Sequence, residues 1–303
     1  MDCLLAGTIL TRDVIAADGR VIANRGEIVD LEFLKEVTAK APKGLRSRPL
    51  HETSIADSVL EALDAAPLEH ILAPTAARGQ VADALADVRF PDEIWHELES
   101  MRVEDPARFT HAVWTSLVAA RMFRTALGEA PGIPRMLGGA LVHDLGMRLA
   151  SPKLRGKRDF LNKAEAAALE DHPLLGALLL ASVLGDAPPV HFALLHHVRS
   201  GHGYPRVKTQ APLRGLDLIS VASAFAAMVS PRAYRAQPFS PRGAIDQLLE
   251  EAQAGHFDER AVRLLIFCMR GAKGALGELR LPKQLTGFRP MENNHGVVLE
   301  EAK

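Results

Sequence analysis

Three stretches, Ala140–Leu149 (ALVHDLGMRL), Glu170–Gly176 (EDHPLLG) and His196–Pro205 (HHVRSGHGYP), decide how this chain is read. The first lies near the end of an apolar helix, in which a buried aspartate is costly unless it is paired, hydrogen-bonded or bound to a metal. Neighbouring side chains on a helix diverge by about 100°, so His143 and Asp144 can approach one metal from two sides, or the carboxylate can bridge two. The dipeptide alone reads equally as a structural pair. His172 stands before Pro173 in the usual cap position. It is either a surface cap or, since a helix N-terminus disfavours imidazolium, a neutral ring able to ligate. His196 and His197 follow Phe192, Leu194 and Leu195. As neighbours on one helix they are expected to point apart, serving two metals or one metal and a substrate.

Outward from this segment, the chain changes character near residue 50. Before it, short β-branched runs alternate with Asp18-Gly19 and Arg25-Gly26, the pattern of a hairpin or three-stranded element. A short helix capped by Asp30 follows, then a linker over 41–49. Helical signals dominate from there, and strands are not evident after residue 50. Ser54 reads as the cap of a helix with Ile55, Val59, Leu60 and Leu63 on one face. Asp105-Pro106 opens a long helix through His111. Further helices are expected at 133–147, 162–170, 173–184, 188–199, 212–229, 240–254 and 257–270, and the tail from Met291 shows no periodicity. The expected fold is mainly α: a helical bundle behind a small N-terminal β-rich segment. It divides into a β/α segment over 1–45, a helical connection over 46–94, a main helical domain over 95–272 and a tail over 273–303.

Composition bounds the partners. A net charge of −1 gives no reason to expect DNA or a membrane surface as partner. Cys3 and Cys268 lack metal-finger spacing and read as two free thiols in a reducing compartment. The first ten residues lack a basic region for a signal peptide, and no run reaches the roughly 18 apolar residues of a membrane span. A cytoplasmic protein is expected.

His111 in FTHAVWTSLVAAR, HDLG at 143–146, HPLLG at 172–176, HHVRSGHGYP and SPRAYR at 230–235 occur in the order and spacing of HD-GYP domains. Over roughly residues 95–272 the chain resembles this branch of the HD phosphohydrolases, which typically hydrolyse cyclic di-GMP in bacterial-type signalling. The related HDOD regulatory domain fits less well, because HDLG, the paired histidines and GYP are present together. The resemblance implies an HD-type bundle in which His111, His143 and Asp144 hold one divalent metal, Asp144 bridging to a second held by His172 and His196 with His197 nearby. Iron or manganese is implied, with zinc or nickel also suited to imidazole. Metal-bound water would attack the phosphodiester, making Asp144 and His197 catalytic. Tyr204 beside the guanine pocket, with Arg232 and Arg235 at the phosphate, would bind substrate.

The chain departs from that pattern at charged positions. Ser223 stands where the family has an aspartate ligand, Met147 where it has lysine, Val198 where it has glutamate, and Ala107 where some members have a third-metal glutamate. Catalysis in such sites is largely electrostatic, and losing one donor already costs about 100-fold in rate. The expectation is therefore a site with one or two ions at most and impaired or lost turnover, acting as a module for a cyclic dinucleotide, a related nucleotide or a signalling partner. An abbreviated but active phosphodiesterase is the alternative. Residues 46–94 either pack on the core or mediate a homodimer, and the sequence favours neither.

Overall fold

The structure is a computed structural model that describes residues 7–291 apart from 73–74, 151–153, 155–156, 158–160, 200–201, 208–212, 234, 236 and 282–283. Cys3 and the tail beyond Met291 lie outside the described residues.

The fold is mainly helical behind a small β segment, as its patterning predicts. β1 (Thr8–Ile9), β2 (Val14–Ile15), β3 (Val21–Ala23) and β4 (Ile28–Val29) form two antiparallel ladders, β2 with β3 and β1 with β4. Gly19, in the turn of the inner hairpin, takes φ +84°, a conformation that side chains with a Cβ rarely adopt. The helix α1 (Leu31–Ala39) starts at Asp30, whose Oδ1 accepts the Phe33 N–H at 2.9 Å.

The linker expected over 41–49 is only partly a linker. Its end forms β5 (Ser47–Pro49), which pairs antiparallel with β6 (Arg89–Pro91) beyond α2 (Ala56–Ala62), α3 (Glu69–Leu72) and α4 (Thr75–Ala86). The indole N–H of Trp95 donates to the Arg48 carbonyl, and Phe90 packs edge-on to that indole at 5.3 Å. A two-stranded pairing across about forty residues leaves no local signal, so the sequence around Arg89–Pro91 does not mark β6. Ser54 does not cap α2; its hydroxyl donates to Glu99, and Ile55 holds the cap position. Ile55, Val59 and Leu63 are buried as expected, but Leu60 is 52% exposed.

α5 (Asp92–Glu104) leads into the long α6 (Pro106–Leu127), capped by Asp105 through the Arg108 N–H. α7 (Ile133–Val142) gives way to a 3-10 turn over Leu145–Arg148. α8 (Lys163–Glu170) and α9 (His172–Leu184) follow. Counted together, Lys163–Leu184 is long and apolar enough to cross a membrane, with mean hydropathy 1.4, which no apolar run suggested. Two-thirds of that window (67%) is buried inside the fold, where α9 packs on α1, α10 (Pro188–Leu195) and the 3-10 turn. It serves as a core helix. α10 ends four residues before the expected helix does, since Val198–Arg199 turn into β7, a hairpin with β8 (His202–Gly203). Gly203, at φ +91°, closes against the His197 carbonyl, where a Cβ would collide with the backbone. α11 (Leu216–Val229), α12 (Pro241–Gln253) and α13 (Glu259–Met269) complete the bundle, and buried Cys268 remains a free thiol. Buried apolar side chains from Leu10 to Cys268 form one connected core.

Candidate metal centre

Five imidazoles and one carboxylate meet inside the bundle. His111 comes from α6, His143 from the C-terminal cap of α7, and Asp144 from the start of the 3-10 turn. His172 opens α9, and His196 and His197 leave the end of α10. A close approach of two backbones joins the first pair of segments to the second. A Cβ on Gly146 would overlap the His172 carbonyl and the Gly176 amide, so only glycine lets the Asp144 turn rest on the first turn of α9.

All but His197 are at least nine-tenths buried: His111 3% exposed, His143 0%, Asp144 4%, His172 2% and His196 1%. Asp144 divides the cluster. Its Oδ1 lies 3.1 Å from His172 Nε2 and 3.5 Å from His196 Nε2, while Oδ2 lies 3.6 Å from His111 Nε2. Two groups of ligand atoms, each within 4.8 Å, result: Asp144, His172, His196 and His197, and His111, His143 and Asp144. The adjacent histidines do not point apart. Their rings lie 4.2 Å apart at 48° where α10 ends, and both belong to the group of ligand atoms around Asp144.

Hydrogen bonds from the helix ends assign the tautomers. His143 Nδ1 faces the Ala140 carbonyl at 2.7 Å, His172 Nδ1 the Leu169 carbonyl at 2.6 Å, and His196 Nδ1 the Ala193 carbonyl at 2.9 Å. A carbonyl only accepts, so each Nδ1 carries the proton and each Nε2 offers a lone pair to the cluster. This fixes an unusual polarity between His172 and His196, whose Nε2 atoms stand 3.2 Å apart with the Asp144 carboxylate beside them. With both rings neutral, three acceptors converge there, and no other donor lies between them among the described residues. Such a set is unfavourable alone and fits a cation, whose charge and empty orbitals match nitrogen and oxygen lone pairs.

The electrostatics keep the donors ready. Burial lowers His143 to about 4 against the opposing pull of Asp144, and it lowers His196 as well. His197 falls well below its ordinary value through burial and the neighbouring His196. Neutral rings are the metal-binding form.

The remaining sequence candidates take different places. The Tyr204 ring stacks on His197 at 4.6 Å and stands edge-on to His172 at 5.9 Å, walling the cluster from an adjoining cavity of about 830 Å³ lined by Glu170, Arg199 and Arg206. Arg232 sits close enough for its charge to act on His111, second only to burial. Arg235 is buried, and its Nη2 donates to the carbonyls of Ala227, Met228 and Ser230 at the end of α11. Met147 is buried in the 3-10 turn, Val198 lies half-buried in β7, and Ala107 is exposed in the first turn of α6.

Three further residues support the site from outside the sequence-derived set. Arg199 donates from Nη1 to the His196 carbonyl at 2.7 Å and to the Val198 carbonyl at 3.0 Å, with its guanidinium 4.4 Å over Phe257. Ser220 Oγ donates to the same His196 carbonyl at 3.1 Å. Together they pin the turn that brings both histidines inward. Arg108, half-buried one turn before His111, adds a positive charge that reaches His111, His143 and Tyr204. The sequence offered one signal for these residues, a basic residue just past a helix end, which commonly holds the last carbonyls. No family model and no curated protein matches the chain.

Proposed function

We propose that the chain is an HD-GYP-like signalling protein of the cytoplasm that holds a divalent transition metal in its buried cluster and binds a cyclic dinucleotide or related nucleotide. In this reading catalysis is impaired or lost, and the protein acts as a binding module that passes the bound state to a signalling partner. The observation that carries it is the convergence of His172, His196 and Asp144 lone pairs, with no donor between them and a single carboxylate in the cluster among the described residues. A metal seated there would supply Lewis-acid polarisation of a phosphate oxygen. The chain's own groups would orient the ligand: Tyr204 beside the base, and Arg232 and Arg108 toward phosphate.

One feature favours the competing reading of an active phosphodiesterase. Asp144 presents one oxygen to each group of histidines, the arrangement of a bridging carboxylate. Against it stands the loss of charge at Ser223 and Met147, which removes an anionic ligand and a cation at once. Incubation of the protein with cyclic di-GMP and added Mn or Fe, followed by separation of products, decides between the two. We expect bound cyclic dinucleotide recovered intact. A linear dinucleotide formed in many turnovers contradicts the silent module.

A further inference from the structure

The cluster contains two candidate sets of ligands, and they are not equivalent. Ser223, 7% exposed on α11, places its Oγ 3.2 Å from His143 Nε2 and 3.4 Å from His111 Nε2. His143 Nε2 is a lone pair, because its Nδ1 proton is already given to Ala140. The serine hydroxyl therefore donates to His143, leaving its own lone pair facing His111.

His111 differs from the other three buried rings. Its Nδ1 is buried without a hydrogen-bond partner among the described residues, whereas those of His143, His172 and His196 each have a helix carbonyl. To ligate through Nε2, His111 must move its proton to that orphaned Nδ1. A buried N–H left unpaired costs about 1–3 kcal/mol. The other tautomer leaves only a lone pair unmatched and lets Nε2–H donate toward Ser223 Oγ. A continuous chain then runs from His111 N–H to Ser223 and from Ser223 O–H to His143, with every polar hydrogen used. A neutral hydroxyl is also a poor ligand for a divalent metal.

We infer that this protein holds one metal ion, seated by His172, His196, His197 and Asp144, and that Ser223 closes the His111–His143 half as a hydrogen-bonded chain that takes no second ion. The inference rests on the metal-binding reading above and narrows it. His111 becomes a positioning residue: it approaches Asp144 Oδ2 from the far side and leaves Oδ1 to the ion. The charges of Arg232 and Arg108 beside His111 further oppose a dication there.

The test is cobalt(II) titration of the full chain, followed by visible absorption and by elemental analysis after desalting. We expect one ion per chain. His172→Gln should weaken binding by more than the roughly 10–100-fold that loss of an outer-sphere partner costs, and His111→Gln should change it by less. Ser223→Ala, which removes only the hydroxyl, should leave the stoichiometry at one and guards against a His111 variant that misfolds. Two ions per wild-type chain, or one ion that follows His111 and survives His172→Gln, would overturn this inference alone. Absence of bound metal in every protein would overturn the metal-binding reading itself.

Discussion

The two halves of the buried cluster share Asp144 and differ in their wiring. Around His172 and His196, helix-end carbonyls accept both Nδ1 protons, so in the neutral rings only lone pairs face inward and the region can hold a cation. Around His111 and His143, one serine hydroxyl converts a similar set of rings into a satisfied chain of hydrogen bonds. The lesson is that counting histidines does not count metals. What decides is the partner of the other ring nitrogen, and that partner is set by where helices end.

The most severe way to break the comparison is to separate the halves. Gly146→Ala puts a methyl group into the His172 carbonyl and the Gly176 amide, neither of which can rotate away. We expect a loss of about 3 kcal/mol in urea unfolding, at the upper end of overpacking costs, together with loss of cobalt binding. Unchanged stability and binding would show that the turn and α9 are not coupled.

Acid tests the neutral rings. His143 titrates at about 4 when folded against an ordinary 6.5, so the unfolded chain takes up its proton first as pH falls. The stabilisation is complete above pH 6.5 and is lost progressively down to about pH 4, reaching roughly 3 kcal/mol for this ring at about 1.4 kcal/mol per unit. Urea unfolding at pH 7 and pH 5 of the chelator-treated protein should show this slope in wild type and a shallower one in His143→Asn. Equal slopes would contradict the assignment.

A milder change sharpens the role of the turn after α10. Arg199→Met keeps the aliphatic packing on Phe257 but removes the donors to the His196 and Val198 carbonyls. We expect about 1–3 kcal/mol lower stability and 10–100-fold weaker metal binding. Full metal affinity in this variant would mean that the turn holds its shape without the guanidinium.

The smallest effect separates the halves again. Asp105→Ala removes the cap of α6, the helix that carries His111 and none of the inferred metal ligands. Loss of this cap should lower stability by about 1 kcal/mol and leave cobalt affinity unaltered. Coupled loss of binding would place His111 at the metal.

Much of this architecture is legible in the chain. Asp30 and Asp105 announce helices by local capping chemistry, and both caps form as read. The histidines and Asp144 could be gathered from motif order, and His143, Asp144, His172, His196 and His197 sit at helix ends. Other features depend on contacts distant in sequence. β5 and β6 pair across about forty residues, and Ser54 finds Glu99 rather than its own helix. The closeness of the His196 and His197 rings appears at the end of α10, an end that the sequence running on into Val198 does not mark. The proton on each Nδ1 depends on a carbonyl three residues earlier being open at a helix end, and residue type alone does not reveal that.

The central claim is most directly tested by anomalous diffraction from crystals soaked in zinc. The account predicts one peak, about 2.0–2.1 Å from the Nε2 atoms of His172 and His196 and close to Asp144 Oδ1, with Ser223 still bridging His111 and His143. A peak bound by His111 and His143, alone or beside the first, would contradict it.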